Sequence, residues 1–309
     1  MRIVFMGTPH AAAVSLERLL ADGHDIVAVY TQPDRPSGRG NKITFSAVKQ
    51  LALDHALPVL QPTKIKTAEA AAGFRAHDAD VAVVVAYGRI LPESFLTAFP
   101  QGAVNVHFSL LPKYRGAAPV NWALVNGETK TGVTTMRMDA GLDTGDILLQ
   151  RETEIGPEEN SVELMGRLAE IGADLLAETV ERLPDLHMNP QDASRATFAP
   201  IMKKEDGLFE WSMPAGQISR MVRGFQPFPT TFTSYQGKKL TIWRAVAVEI
   251  DSPTVPGTVI LGSGDDLLVK CGGPSALRIS ELQLEGKRRV NVRDFLNGVK
   301  LKVGDAMEG

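Results

Sequence analysis

The sequence holds one cysteine, Cys271, in 309 residues. A single thiol excludes an internal disulfide and suits a reducing compartment. No histidine adjoins it, so the sequence gives no sign of a cysteine nucleophile. Histidine is sparse too. Six are scattered at 10, 24, 55, 77, 107 and 187, with no H-x-x-x-H or H-E-x-x-H pairing, so no metal site is expected. Asp139, Asp143 and Asp146 lie close together, but their spacing and neighbours do not fit a calcium loop. No apolar run approaches the roughly 18 residues that a membrane span needs. Met1 leads directly into Arg2-Ile-Val-Phe-Met6 with no basic leader before it. The expected location is therefore cytoplasmic, away from membranes. Glycine fingerprints are missing as well. Met6-Gly7-Thr8-Pro9 follows the first apolar run with one glycine, and neither G-x-G-x-x-G, G-x-x-x-x-G-K-[ST] nor G-x-S-x-G occurs. These absences argue against a dinucleotide oxidoreductase, a P-loop enzyme and a serine hydrolase.

What is present describes a globular chain of two domains. Apolar residues make up 44% and charged residues 22%, the balance of a folded protein rather than a disordered one. Residues 207–309 carry 13 Lys and Arg against 10 Asp and Glu, while residues 1–206 carry 20 against 26. A mildly basic C-terminal part beside an acidic one is compatible with a polyanionic partner.

The first half alternates strand and helix signals. Strands are expected at Ile3–Met6, Asp25–Tyr30, Asp80–Ala86, Gly102–Val106, Gly132–Met138 and Asp146–Glu154. Helices are expected at Ala11–Leu20, Phe45–His55, Thr67–His77, Pro119–Val125 and Asn160–Leu183. Repeated βα units predict an α/β, doubly wound, mostly parallel sheet. Pro184, Pro190 and Pro200 stand among polar residues and read as a connection. Beyond it, Pro214–Arg223 reads as a helix. Short β-rich runs at Thr231–Tyr235, Leu240–Val248, Thr258–Leu261, Leu267–Cys271 and Ala276–Leu284 then predict a small all-β barrel or sandwich.

Chemistry concentrates in Asn105-Val106-His107-Phe108-Ser109-Leu110-Leu111-Pro112-Lys113-Tyr114-Arg115-Gly116 and in Gly141-Leu142-Asp143-Thr144-Gly145-Asp146. The first segment follows a strand, where doubly wound sheets place their ligands. Asn105 and His107 are two apart, so an extended chain turns both to one side. An amide donates to a carbonyl oxygen as it becomes anionic. An imidazole moves a proton or lends charge, and a carboxylate orients it. Singly, each has an ordinary role as a cap, a core histidine or a turn residue. Together they point to transfer of a small acyl group to an amine without metal or covalent intermediate. The loop Gln32-Pro-Asp-Arg-Pro-Ser-Gly-Arg-Gly-Asn-Lys42 carries Arg35, Arg39 and Lys42, residue types that grip phosphates or stack on bases. Lys203-Lys204, Lys238-Lys239, Lys287-Arg288-Arg289 and Arg293 add basic character further on.

The pattern N-V-H-x-S-L-L-P-x-Y-R-G-A-A-P with M-D-x-G-L-D-T-G-D resembles the methionyl-tRNA formyltransferase family. So do F-M-G-T-P, T-Q-P-D-R-P-S-G-R-G, V-V-A-Y-G-R-I-L-P at 84–92 and R-G-F-Q-P-F-P at 223–229, and the likeness runs along nearly the whole chain. The resemblance implies a Rossmann-like catalytic domain over 1–189 that binds 10-formyltetrahydrofolate. It further implies a linker over 190–206 and an OB-like barrel over 207–309 that helps hold initiator methionyl-tRNA. The family's catalytic residues fall on Asn105, His107 and Asp143. Its folate-contacting segment falls on Ser109, Leu110, Leu111 and Pro112, and its acceptor-stem loop on 32–43 with Arg35, Arg39 and Lys42. One position departs: Phe108 stands where the family usually has a small residue, next to the pterin pocket. The implied product is formylmethionyl-tRNA for translation initiation, with no metal and with the chain acting as a monomer. The alternatives are formyl transfer to a nucleotide sugar or another small amine, and folate or RNA binding without turnover.

Overall fold

The computed structural model describes residues 1–37, 42–299 and 301–307. Its chain divides into two units. Unit one comprises Met1–Pro119, Lys130–Glu154 and Met165–Ala199, and unit two comprises Val120–Thr129, Ile155–Leu164 and Pro200–Gly309.

The chain first forms β1 (Arg2–Gly7), α1 (His10–Ala21), β2 (Asp25–Tyr30), β3 (Arg35–Ser37), β4 (Lys42–Thr44), α2 (Ala47–Asp54), β5 (Val59–Leu60), α3 (Ala68–Arg75), β6 (Val81–Val85), α4 (Glu93–Leu96), β7 (Ala103–His107) and β8 (Arg115–Gly116). After α5 (Pro119–Val125) come β9 (Lys130–Arg137), β10 (Ile147–Glu154), α6 (Ser161–Arg182) and β11 (Phe198–Ala199). Seven strands form one sheet in the order β10-β9-β7-β6-β1-β2-β5. The run from β5 to β7 is parallel, and β9 and β10 close the other edge antiparallel. This is the Rossmann-like arrangement expected from the alternating signals.

Local sequence explains the elements. β6 and β7 are buried at every residue, which is why they read as continuous apolar runs rather than alternating ones. Ser46 and Thr67 cap α2 and α3, their hydroxyls accepting from the backbone N–H of Lys49 and Ala70. Phe108, the departure from the family pattern, packs against α6. A Cβ on Gly172 would stand 3.3 Å from the Phe108 ring, so the missing side chain there leaves room for the aromatic one.

Residues 184–206, read as a connection, contain more structure than that. Phe198 and Ala199 pair in parallel with Arg115 and Gly116 as β11 and β8. Two residues are too few to show a period, so backbone pairing alone defines this ladder. Gly116 sits at φ +122°, and a Cβ there would approach the Ala199 carbonyl oxygen to 2.6 Å.

Unit two carries α7 (Ala215–Gly224), β12 (Thr231–Tyr235), β13 (Lys238–Glu249), β14 (Val259–Ser263), β15 (Asp266–Lys270), β16 (Ser275–Leu284), β17 (Val290–Asn291) and α8 (Val292–Gly298). Its sheet runs β12-β13-β16-β15-β14, with β17 also on β16, and every pairing is antiparallel. Ile218 and Val222 of α7 meet Leu240, Ile242, Val269, Leu277 and Ile279 in its core. Cys271 is buried there and its thiol is pushed up to about 12 by burial, an inert packing residue. No described helix is long and apolar enough to cross a membrane.

Candidate active site

The pleat of β7 puts Asn105 and His107 on one face, at 8% and 6% exposure. His107 Nε2 donates to the Tyr114 carbonyl oxygen at 2.9 Å. With that nitrogen engaged, Nδ1 is the one left for chemistry, and Asp143 Oδ2 lies 3.7 Å from it. That separation is an ion-pair distance rather than a hydrogen bond. The ring is therefore held by a backbone carbonyl seven residues on, with the carboxylate beside it. The Asn105 side chain makes no hydrogen bond to another described residue. Its amide is a nearly buried donor without a partner among the described residues.

Asp143 is placed by three contacts. Its backbone takes φ +52°, a left-handed turn that Asp tolerates. The Gly116 N–H donates to its Oδ2 at 2.8 Å. Gln191 Nε2 donates to the carbonyl oxygens of Asp143 at 2.9 Å and Gly145 at 2.7 Å. Gln191 Oε1 in turn accepts from Arg115 Nε at 3.1 Å and Nη2 at 2.7 Å. The buried Arg115 thus acts on the 143–145 turn through Gln191. Thr144 closes the same turn, its hydroxyl donating to Asp139 Oδ1 at 2.7 Å.

Packing sets the position of this turn as tightly as hydrogen bonding does. A Cβ on Gly145 would run into the carbonyl oxygen of Arg137. Gly145→Ala is expected to shift the loop that carries Asp143 and to lower turnover at least tenfold. Its thermal midpoint should stay within a few degrees of the parent, because the displaced turn lies outside the core. Parallel activity and thermal-melt measurements check this, and parent-like turnover would show that the turn's position is unimportant.

Ser109–Pro112 forms a braced turn. Thr134 Oγ1 donates to the Ser109 carbonyl oxygen at 2.7 Å and accepts from the Leu111 N–H at 3.1 Å. Gln150 Nε2 donates to the Leu111 carbonyl oxygen at 2.9 Å, and Ser109 Oγ donates to the Lys113 carbonyl oxygen at 2.7 Å. Leu110 shares the turn, and the Leu111–Pro112 peptide is cis.

A cavity of about 140 Å³ opens against Asp143, walled by Arg89, Leu91, Leu96, Met136, Met138 and Leu142 among others. Neither the 109–112 segment nor Phe108 lines it. A larger cavity, about 360 Å³, lies in unit two among Arg223, Trp243, Arg244 and Arg289 and contains none of the three polar residues. Of the two, the small cavity is the one that adjoins the Asp143 carboxylate. Its apolar walls carry no residue-level signal in the sequence, since Leu and Met in such runs look like ordinary core. Gln191 gives no sequence signal because it lies 48 residues beyond Asp143, within a stretch that reads as a connection.

Of the basic loop, Arg35 and Lys42 fall in the antiparallel pair β3 and β4, with Arg35 opposite Thr44 and Lys42 opposite Ser37. Arg39 lies outside the described residues. Several later basic residues are committed within unit two. Arg289 pairs with Glu281 and lies 4.8 Å over the Trp243 ring. Arg293 pairs with Asp265, and Lys239 lies over Phe232. Lys203, Lys204, Lys238, Lys287 and Arg288 are exposed. Among the described residues, no group of three or more His, Cys, Asp or Glu is arranged to hold a metal ion.

Comparison with known proteins gives consistent matches. Residues 1–180 match a family model described as formyl transferase, and residues 201–300 match one described as formyl transferase, C-terminal domain. A methionyl-tRNA formyltransferase of Geobacter metallireducens is 48% identical over 307 residues, 98% of this chain and 97% of the relative. One of Caldanaerobacter subterraneus subsp. tengcongensis is 48% identical over 311 residues, 100% of each chain. Among solved structures, the N-formyltransferase of Helicobacter canadensis in complex with folinic acid and dTDP-3-aminofucose aligns with a TM-score of 0.67. That alignment has 18% identity and covers 90% of this chain and 98% of the other.

Proposed function

This chain belongs to the formyl transferase family, with methionyl-tRNA formyltransferases as full-length relatives, and from that premise we propose how its residues carry the reaction. The formyl group passes from 10-formyltetrahydrofolate to the α-amine of methionine esterified to initiator tRNA, giving formylmethionyl-tRNA. The observation that carries this reading is His107 Nδ1 facing Asp143 at 3.7 Å, two residues along β7 from an unpartnered Asn105 amide. The donor's pterin fits the cavity walled by Leu91, Leu96, Met136 and Met138. A flat ring suits apolar walls, and its polar edge suits the Asp143 end. Ser109–Pro112 supports this site by bracing the chain between His107 and Arg115 rather than by facing the cavity.

The uncharged amine attacks the formyl carbon, a C–N bond forms, and the carbonyl π pair moves onto oxygen. The Asn105 amide N–H and a protonated His107 Nδ1 donate to that oxyanion. The attacking nitrogen gives up one proton to the Asp143 carboxylate; the oxyanion then re-forms the carbonyl as the C–N10 bond breaks, and N10 of the folate takes that pair together with the proton held at Asp143. Proton count and charge balance without a metal or an enzyme-bound acyl group. Fixing two large substrates in one geometry supplies roughly 7–11 kcal/mol in comparable reactions.

RNA recognition falls to the 32–43 loop with Arg35, Arg39 and Lys42, assisted by the exposed lysines of the C-terminal barrel. The roles follow the expected division: 1–189 for donor binding and catalysis, 207–309 for tRNA. The enzyme is proposed to act as a monomer. The relatives' work in translation points to the cytoplasm.

Arg39→Ala is expected to raise the KM for tRNA several-fold and to flatten the salt dependence of RNA binding by about one unit of slope. Donor affinity should be retained. Binding titrations over a salt series check this, and an equal loss of donor binding would remove the loop from RNA recognition. The function itself is tested by formyl transfer to charged initiator tRNA. Uncharged tRNA, elongator methionyl-tRNA and a nucleotide-linked amino sugar serve as controls. Formylation of the sugar in preference to the tRNA would overturn the reading.

A further inference from the structure

The cavity assigned to the pterin measures about 140 Å³. That space takes a fused ring and not the aminobenzoyl ring and glutamate joined to it, so the rest of the donor lies outside. Two features mark where it goes. Ile90 lines the cavity yet is 72% exposed, an apolar side chain at the mouth that an aryl ring removes from water. The next residue, Leu91, is a wall of this cavity and also of a second one, about 520 Å³, in the same unit. Arg89 Nη1 donates to the carbonyl oxygens of Pro62 at 3.1 Å and Thr63 at 2.9 Å. Those bonds fasten the segment that leads to Lys66, a lining residue of the second cavity, onto the wall of the first.

Helix α3 shapes the second cavity. Ala68, Ala71 and Arg75 line it at spacings of three and four, so they share one face of the helix. Both alanines are short. They leave that face open between Lys66, just before the helix, and Arg75, its last residue. The helical rise from Ala68 to Arg75 is roughly 10 Å. Neither the Lys66 ammonium nor the Arg75 guanidinium bonds or pairs with another described residue. The described lining carries these two positive charges and no negative one. Glu69, the acid in the first turn of α3, has its carboxylate engaged by its own backbone N–H and by Thr67. A track with one free cation at each end suits an extended ligand that carries several carboxylates.

We propose that Lys66 and Arg75 read the length of the donor's tail, favouring a folate with several γ-linked glutamates over one with a single glutamate. This inference rests on the donor assignment above. The aminobenzoyl ring crosses Ile90, and the first glutamate enters the second cavity past Leu91. A single glutamate reaches one of the two cations. Each further γ-linked residue adds a carboxylate along the open face of α3, so a longer tail reaches both. Exposed pairs of this kind are individually weak and are screened by salt. Neither side chain touches the reacting carbon, so the gain appears in donor affinity and not in the rate of transfer.

The test measures the Kd of tetrahydrofolate carrying one glutamate and of tetrahydrofolate carrying three, at low and at high salt. Neither form transfers a formyl group. The parent should bind the triglutamate about three- to tenfold more tightly at low salt, with the advantage shrinking at high salt. In the double variant Lys66→Gln/Arg75→Gln that ratio should fall toward 1, while the monoglutamate Kd rises no more than about twofold. The charge-keeping pair Lys66→Arg/Arg75→Lys should retain the ratio, and kcat with saturating donor should match the parent in both variants. The ratio is the readout, because a merely structural loss weakens both folates alike. A parent ratio of 1 with monoglutamate binding intact overturns the tail site and leaves the formyltransferase reading standing. A parent-like ratio in Lys66→Gln/Arg75→Gln equally overturns the assignment of the tail to these two residues. Absence of folate binding in the parent overturns the functional reading and the tail site together.

Discussion

Asp143→Asn lowers the first-order rate of formyl transfer by about 10²–10⁴, the range for loss of a positioned proton-transfer group. The substitution keeps shape and leaves an oxygen to accept from the Gly116 N–H, which now bonds Oδ2 at 2.8 Å. Gln191 still holds the turn through the backbone carbonyls of Asp143 and Gly145. What is lost is the charge 3.7 Å from His107 Nδ1 and a proton acceptor beside the reacting amine. The drop should therefore appear in kcat, with the thermal midpoint and the affinity for tetrahydrofolate near those of the parent. Stopped turnover with intact folding, read by rapid-quench transfer and a thermal melt, is the expected pair of results. A kcat within threefold of the parent would leave Asp143 as a turn residue only.

Asn105→Ala lowers kcat by about 10²–10³, corresponding to roughly 2.7–4 kcal/mol for loss of one oxyanion donor. The size follows from where the amide sits. It is 8% exposed and its side chain bonds no described residue. A donor already aimed and already desolvated gains most when charge appears on the substrate. Ground-state affinity should change little, because a formyl oxygen before attack carries little charge. The discriminating measurement is kcat against KM for both substrates. A raised KM with unchanged kcat would make Asn105 a binding group instead.

Much of this was legible in the chain because it depends on local pattern. The buried β6 and β7 appear as apolar runs, and the two-residue spacing of Asn105 and His107 places both on one face of β7. The glycines around Asp143 announce a turn. Other parts were not legible, and for physical reasons. The contact that holds the His107 ring is to a backbone carbonyl, Tyr114, which any residue type could supply. The clamp of Arg115 and Gln191 spans 76 residues and depends on a ladder only two residues long. Phe108 gave no hint of its direction, since its space is made by Gly172 far along the chain on α6. The basic residues of the C-terminal part read only as added basic character, because the acidic partners of Arg289 and Arg293, Glu281 and Asp265, show up only in the folded chain.

The central claim is that Asn105 and Asp143, 38 residues apart in sequence, serve one reacting centre. Its most direct test is a double-mutant cycle on the single-turnover rate of formyl transfer with both substrates saturating. Groups that act together on one transition state are not additive. The combination of Asn105→Ala with Asp143→Asn should cost clearly less than the product of the two single losses. A double loss equal to that product would place the two side chains on independent steps and contradict a shared centre.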